Sequence, residues 1–362
     1  MTTCSPCREF LTLRVVRKDY LDPQRQVCQL TLASANDTPL PPFLPGQYLT
    51  LRLTVTDPRH QRAQSLMRCY SLCNRPGQAF YQIAVKRQPP PANSPTLPPG
   101  LASHFLHRLP VGSTLTAKPP CGSFTLSDAQ APLLLVAGGI GITPLLAMLE
   151  QLFANRDPRP VTLFYAVRNS RALIAKPFLE TLQQHHPHFR LFLCFSQPLR
   201  EDRPGIDCQL TGHLNLALLR QYTTLGNSHL YLCGPSMMMS DLLHALETIS
   251  FPQEQIHDEN FVGGALSRQH LPTASARPAQ EITLQPSGRT FLWQPQHASL
   301  LEAAEQQQIE LAYGCRAGNC GSCEMAVLQG EAEHSPLSFN QPRAGHCLPC
   351  IAIPKTAMIL QE

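Results

Sequence analysis

Apolar and polar residues alternate in short stretches through the first third of the chain, at Phe10–Val16, Gln47–Leu53 and Phe80–Val85, with proline and glycine between them. A period of two marks half-buried strands, and closely spaced strands of this kind predict a small antiparallel barrel or sandwich over residues 1–126. The pattern changes near residue 127. Leu133–Ala137 is a continuous apolar run, followed by a glycine turn and a helical stretch at Leu145–Phe153. Apolar runs at Val161–Val167, Arg190–Phe195 and His229–Cys233 then alternate with helical segments, which predicts an open parallel sheet over 127–262. Residues 263–279 show no period and read as a linker. A short third domain occupies 280–362, so the chain is multidomain.

Of the 362 residues, 43% are apolar and 15% charged, the balance of a folded chain. No apolar run approaches the roughly 20 residues that span a bilayer, so no membrane insertion is expected. Met1–Phe10 lacks the apolar core of a signal peptide. The expectation is a cytoplasmic protein, where fourteen cysteines serve as metal ligands or small buried residues rather than disulfides. A net charge of +4 without a long basic run argues against nucleic acid. From residue 280 onward there are eight acidic and four basic residues, a balance of −4 that leaves +8 on the preceding 279. Opposite fields of this kind suit an acidic module that docks on a basic one.

The strongest chemistry lies in the third domain. Tyr-Gly-Cys315-Arg-Ala-Gly-Asn-Cys320-Gly-Ser-Cys323 is followed at a distance by Cys347 and Cys350. C-x4-C-x2-C with a distant fourth cysteine is the plant-type [2Fe–2S] spacing. Zinc also takes thiolates, but structural zinc sites usually pair two C-x2-C knuckles, and the C-x4-C arm does not fit them. Gly314, Gly318 and Gly321 relieve crowding where backbone wraps a cluster.

Five further motifs precede it. Arg68-Cys69-Tyr70-Ser71 joins a planar cation, which suits phosphate, to an aromatic face, which suits a flat heterocycle. Gly100-Leu101-Ala102-Ser103 follows the strand Ile83–Lys86 and opens a helix over Leu101–Leu109, an arrangement that presents free N–H groups to phosphate. Gly138-Gly139-Ile140-Gly141-Ile142-Thr143-Pro144 joins a buried strand to a helix, with proline in place of the last glycine of the usual dinucleotide fingerprint. Cys233-Gly234-Pro235 closes another strand, and Glu259-Asn260-Phe261 ends the second domain.

In this order the motifs resemble the ferredoxin–NADP reductase superfamily, in its three-domain form with a C-terminal plant-type ferredoxin. Hybrid-cluster-protein reductases, phenylacetyl-CoA epoxidase reductases and oxygenase reductases are of this kind. Phe43-Leu44-Pro45-Gly46-Gln47-Tyr48 resembles the turn leading into a strand in that family. The resemblance implies an antiparallel flavin barrel, an α/β nucleotide domain and a β-grasp ferredoxin domain whose helix spans Ser299–Gln308. It implies that Arg68 meets flavin phosphate, Tyr70 lies against the ring and Ser71 approaches N5. Val85, Lys86, Gly100, Leu101, Ala102 and Ser103 are the remaining flavin contacts. The helix after Gly100 favours FAD over FMN. Gly138, Gly139, Gly141, Thr143, Pro144, Cys233, Gly234 and Pro235 would hold the nicotinamide nucleotide, with Cys233 beside its reactive carbon. Glu259 would orient or protonate the reacting pair, and Phe261 would cover the flavin. The family's Gly-x-x-Leu-x-Cys aligns with Gly345–Cys350, which makes Cys350 the fourth cluster ligand beside Cys315, Cys320 and Cys323; on spacing alone Cys347 fits as well. After Cys350 the chain reads Ile-Ala-Ile-Pro-Lys, where many relatives are more polar, so docking details do not transfer.

The activity expected is hydride transfer from NADH, with NADPH second, to FAD, and single electrons through the cluster to an oxygenase, hydroxylase or hybrid-cluster protein. Glu201 and Asp202 beside Arg200 and Arg203 motivate the coenzyme preference. A small-molecule acceptor and a redox sensor are the rival readings. A flavohaemoglobin is not expected from the length. Cys4-Ser-Pro-Cys7 reads as tail, Met237–Met239 as helix core and His185-His186-Pro187-His188 as a solvated helix end.

Overall fold

The computed structural model describes residues 10–57, 62–89, 100–259, 261, 278–314, 318, 321, 323–334 and 342–362. Cys4, Cys7, Cys315 and Cys320 lie outside them. The chain divides into two compact units: Met1–Leu66 with Tyr70–Phe261, and Val262–Glu362 with Met67–Cys69.

The first unit opens with strands β1 (Leu11–Tyr20), β2 (Val27–Ser34), β3 (Tyr48–Asp57), β4 (Arg62–Ser71), β5 (Tyr81–Lys86) and β6 (Thr114–Cys121), with helix α1 (Leu101–Arg108) between the last two. Among the described residues they form one sheet in the order β4-β3-β6-β1-β2-β5. Leu72, one residue past β4, bridges Ile83 of β5 and closes that order on itself. Alternate residues Leu49, Leu51, Leu53 and Val55 of β3 meet Leu13, Val15, Leu30, Leu32, Ile83 and Val85 in a single interior. Strand β2 is not among the stretches expected from the sequence. Cys28, Leu30 and Leu32 face the barrel interior, while Val27 on its outer face, with Ala84 of β5, is covered by the next layer.

That layer is a parallel sheet of β7 (Leu133–Gly138), β8 (Val161–Val167), β9 (Phe189–Phe195), β10 (Leu210–Thr211), β11 (His229–Cys233) and β12 (Ile256–Glu259). Helices α2 (Ile142–Ala154), α3 (Lys176–His185), α4 (Leu216–Tyr222) and α5 (Ser236–Thr248) connect its strands. The order is β10-β9-β8-β7-β11-β12, so the chain builds outward on one side of β7 and then returns to the other. The reversal between β7 and β11 leaves a crevice at the strands' C-terminal ends, where such sheets bind ligands. Two expectations change here. Of the methionine run, Met239 is core while Met237 is 80% exposed, because the run spans both faces of α5. His186 is not simply solvated, since its ring rests on Phe153 with centroids 4.1 Å apart.

The second unit contains β13 (Gln280–Gln285), β14 (Thr290–Trp293), α6 (Leu300–Gln306), β15 (Met325–Gln329), β16 (Ala332–His334), β17 (His346–Cys347), β18 (Ala352–Pro354) and β19 (Met358–Gln361). The sheet order is β14-β13-β19-β15-β17, with β13 and β19 parallel, and β16 pairs with β18 apart from it. This is the α+β β-grasp arrangement expected. Ser299 caps α6, accepting from Glu302 N at 3.1 Å, while the Glu302 carboxylate accepts from Ala298 N at 2.5 Å. Leu300, Leu301, Trp293 and Leu360 are buried together beneath it. Among the described residues no helix is long and apolar enough to cross a membrane.

Candidate functional site

Strand register assembles the first site. Ala137 of β7 pairs with Cys233 of β11, and Cys233 pairs with Glu259 of β12, so three strand ends stand in a row. The glycines at this edge have distinct jobs. A Cβ on Gly141 would lie 2.3 Å from the Cys233 carbonyl oxygen, and one on Gly138 would lie 2.4 Å from Pro235 Cδ. On Gly234 it would lie 2.5 Å from Met238 Cε. These three let the two strand ends touch each other, rather than serving the nucleotide's approach as their motif suggests. Gly139 alone of the four faces open space, and its φ of +54° is a conformation that favours glycine. Thr143 and Pro144 are buried in the first turn of α2, with Thr143 Oγ1 donating to Ile140 O at 3.0 Å.

Ser71, at the end of β4, donates through Oγ to Glu259 Oε2 at 3.4 Å. The barrel and the nucleotide-type edge therefore meet at Ser71, Cys233 and Glu259. Burial pushes the Glu259 carboxyl up to about 8; the Ser71 hydroxyl draws it down and the Asp258 charge adds to the rise. Below that pH it holds a proton. Cys233 is fully buried, and burial with the charges of Glu259 and Asp258 holds its thiol well above the ordinary range. Phe261 is 42% exposed.

Around Ser71 the other expected flavin contacts divide. Tyr70 is half-buried against the barrel interior, and Arg68 donates from Nη1 to Met67 O at 2.8 Å. Val85 turns its side chain into the core, while Lys86 points outward. Ser103 is buried: its hydroxyl donates to Gly100 O at 2.9 Å and accepts from Gln88 N at 3.1 Å. The serine thus shapes the turn, and a Cβ on Gly100 would meet Gln88 Cβ at 2.8 Å. Leu101 and Ala102 begin α1, whose first N–H groups lack partners within the helix.

The motifs do not reveal several supporting residues. Asn74 donates to Arg75 O, Gln78 Oε1 and Phe80 O, and accepts from Gln82 N, which fixes the turn after β4. Glu150 of α2 accepts from Arg75 N at 2.8 Å and ties that turn to the parallel-sheet layer. His107 donates from Nε2 to Val85 O at 2.8 Å, joining α1 to β5.

In the second unit Cys323 Sγ lies 3.2 Å from Cys350 Sγ, and both residues are buried. A disulfide would bring the sulfurs to about 2.05 Å, so these are two thiols aimed at one point. Cys347 pairs instead with Met325 across β17 and β15, and burial pushes its thiol up to about 12, with Cys323 and Glu324 adding to the rise. Next to Cys323, Glu324 accepts from Arg343 N at 2.7 Å and Nε at 2.9 Å. The converging thiols suit a soft metal centre, and the open space at Gly139, on the sheet edge that also carries Cys233 and Glu259, suits a nucleotide. Cys28 and Cys73, by contrast, are buried thiols that burial raises to about 11 and about 12.

Comparison with known proteins finds relatives of both units. Residues 135–243 match the oxidoreductase NAD-binding domain family, and residues 282–355 match the 2Fe-2S iron-sulfur cluster binding domain family. A flavohemoprotein of Deinococcus radiodurans is 31% identical over 255 residues, which are 70% of this chain and 60% of that protein. The chain spans about 60% of the length of the curated relatives it matches. Phthalate dioxygenase reductase, described as a modular structure for electron transfer from pyridine nucleotides to [2Fe-2S], is 26% identical, covers 98% of both chains and superposes with a TM-score of 0.56. The FAD/NAD binding domain of a nitric oxide dioxygenase from Vibrio cholerae covers 70% of this chain and 99% of its own, at 25% identity and a TM-score of 0.60.

Proposed function

The chain belongs to the ferredoxin–NADP reductase superfamily, as a member with a C-terminal [2Fe–2S] ferredoxin domain, and on that premise we propose that it is an NAD(P)H-dependent iron–sulfur flavoprotein reductase serving a protein acceptor. Its cofactors are FAD, a [2Fe–2S] cluster and a nicotinamide nucleotide. The division follows the sequence reading: a flavin domain over 1–126, a nucleotide domain over 127–262, a linker over 263–279 and a ferredoxin domain over 280–362. The observation that carries the proposal is the hydrogen bond between Ser71 and Glu259 at the C-terminal end of β12, the strand beside β11. It joins a barrel residue to the edge where this sheet type takes nucleotides.

A flavin held there would supply the conversion between the two-electron chemistry of a nicotinamide and the one-electron chemistry of a [2Fe–2S] cluster. The protein's part is binding and orientation. Gly139 leaves room for the nucleotide, and the first turn of α2 offers backbone N–H groups to its phosphates. Cys233, fully buried, would pack beside the nicotinamide without ionising. Glu259 keeps a proton near neutral pH and can hold or release it beside Ser71. Arg68, Tyr70, Lys86 and the Gly100–Ser103 turn would bind the flavin, with Val85 contributing backbone, and Phe261 would cover it. Pro144, Gly234 and Pro235 shape the nucleotide edge. Cys315, Cys320, Cys323 and Cys350 hold the cluster. The acceptor is an oxygenase, hydroxylase or hybrid-cluster protein in the cytoplasm.

Anaerobic titration of the purified protein with NADH tests this. We expect flavin bleaching followed by the electron paramagnetic resonance signal of a reduced [2Fe–2S] centre, with two irons and two labile sulfides per chain. A protein that binds zinc without sulfide, or that NADH and NADPH leave oxidised, would overturn the proposal.

A further inference from the structure

The turn Leu348-Pro349-Cys350 carries one of the two converging thiols. Pro349 has no N–H, so Leu348 supplies the last backbone donor ahead of Cys350. Leu348 is 1% exposed, and a buried N–H must find an acceptor inside the protein. That acceptor is the imidazole Nε2 of His334, 3.0 Å away. The turn is fixed from two other directions. Leu301 N, at the start of α6, donates to Pro349 O at 2.8 Å, and Ile351 N and Ala352 N both donate to Leu348 O at 2.9 Å.

His334 ends β16, opposite Ala352 of β18, so the ladder that follows the turn also sets where the imidazole stands. Accepting through Nε2 leaves the proton on Nδ1 and requires a neutral ring. Burial favours that form, because it lowers the imidazole's pKa. Leu301 and Ile351 offer backbone bonds that any sequence could make. The bond from Leu348 depends on one side chain.

We propose that His334 is a positioning residue for the iron–sulfur centre: its Nε2 holds the Leu348–Cys350 turn so that the Cys350 sulfur faces Cys323. This rests on Cys350 being a cluster ligand. His334 itself touches the backbone of the turn and acts through it.

The test uses the full-length purified protein and two variants. His334→Leu keeps an apolar side chain of moderate size and removes the acceptor; His334→Gln retains an acceptor oxygen at similar reach. Iron and labile sulfide, the rate of cluster loss to a chelator, the cluster's reduction potential and the resonance signal of its reduced form are compared. Unfolding of the ferredoxin domain is followed at Trp293, the sole tryptophan and fully buried. We expect His334→Leu to lose its cluster about tenfold faster and to shift the potential, the effect of leaving one buried N–H unpaired. His334→Gln should stay close to the parent. Equal cluster loss and equal potential in parent and His334→Leu would overturn the inference, as would a His334→Gln that fails as badly as His334→Leu. Should His334→Leu not fold, the Gln variant decides alone: parent-like behaviour supports the inference and failure overturns it. A parent protein without iron and sulfide would instead defeat the reading of the cysteines, on which the inference depends.

Discussion

At the C-terminal edge of the parallel sheet the site is made almost wholly of backbone, whereas in the cysteine turn it is made of side chains. Gly138, Gly141 and Gly234 let β7 and β11 end in contact, and register alone sets Cys233 beside Glu259. The Cys323–Cys350 pair depends on His334 and on the Glu324–Arg343 clamp, contacts made between residues far apart in sequence. A backbone-built site fails when bulk is added to it. A side-chain-built site fails when a donor or acceptor is removed. The two regions should therefore respond to opposite kinds of substitution.

The largest effect expected is in the cysteine turn. Cys350→Ser should abolish the cluster's visible and resonance signals while flavin reduction by NADH continues. Cys347→Ser should keep both signals, because Cys347 sits in the β15–β17 ladder opposite Met325 and outside the Cys323–Cys350 sulfur pair. The opposite result would move the fourth ligand to Cys347 and break the correspondence between the 3.2 Å sulfur pair and the metal site.

Next comes bulk at the sheet edge. Gly141→Ala places a methyl 2.3 Å from a backbone oxygen, and overpacking that backbone should cost about 3 kcal/mol of stability. Gly139→Ala meets no atom and should cost only about 1–2 kcal/mol, for holding alanine in left-handed backbone. Its larger effect should fall on nucleotide KM. Thermal unfolding of both variants checks the order, and equal losses would show that the edge relaxes freely.

These differences explain what the sequence could reveal. Glycine motifs and uninterrupted apolar strands are local signals, so β7, β8 and β11 were readable to within a residue, while the helix expected from Leu145 begins at Ile142 and takes in Thr143 and Pro144. Strand β2 was not read, although Cys28, Leu30 and Leu32 alternate with Gln29 and Thr31; its outer face carries Val27 under the parallel-sheet layer. Asn74, Glu150 and His334 were invisible for a different reason. Each acts through one long-range hydrogen bond or a local turn, and nothing in their flanking residues marks it. The glycine motif was legible as a motif, but its division of labour required the neighbouring strand end.

A smaller effect concerns protonation. The Glu259 carboxyl is raised from an ordinary value near 4.5 to about 8 by burial. The folded protein therefore keeps a proton that the unfolded chain gives up in this window. Its stabilising share is complete below 4.5 and is lost as pH rises through about 8. In flavin-free protein, stability should decline from pH 5 to pH 9 more steeply than in Glu259→Gln, whose amide does not titrate. Parallel pH–stability curves for the two proteins would show that Glu259 ionises normally in the fold.

The smallest effect expected is on coenzyme choice, where exposed side chains act at the far end of the same sheet edge. Arg171 pairs with Glu201 at 2.7 Å, both more than half exposed, and Arg203 pairs with Asp207 at 3.1 Å. Asp202 turns inward instead, accepting from Leu199 N and Ser170 N, and so ties the loop after β9 to the loop after β8. Arg171 is thus neutralised by Glu201 and Arg203 by Asp207, while Asp202, the other member of the acidic pair, takes no part. A 2′-phosphate needs convergent cations, and an arginine already held by a carboxylate offers little. The protein should accordingly prefer NADH. Glu201→Gln releases Arg171 and should lower the NADH:NADPH ratio of kcat/KM by about two- to five-fold, the scale that exposed ion pairs permit. Raised salt should shrink the difference between the two proteins, because both charges face water. A ratio that already favours NADPH in the parent would refute the preference, and a Glu201→Gln variant with an unchanged ratio would place the adenosine ribose away from Arg171.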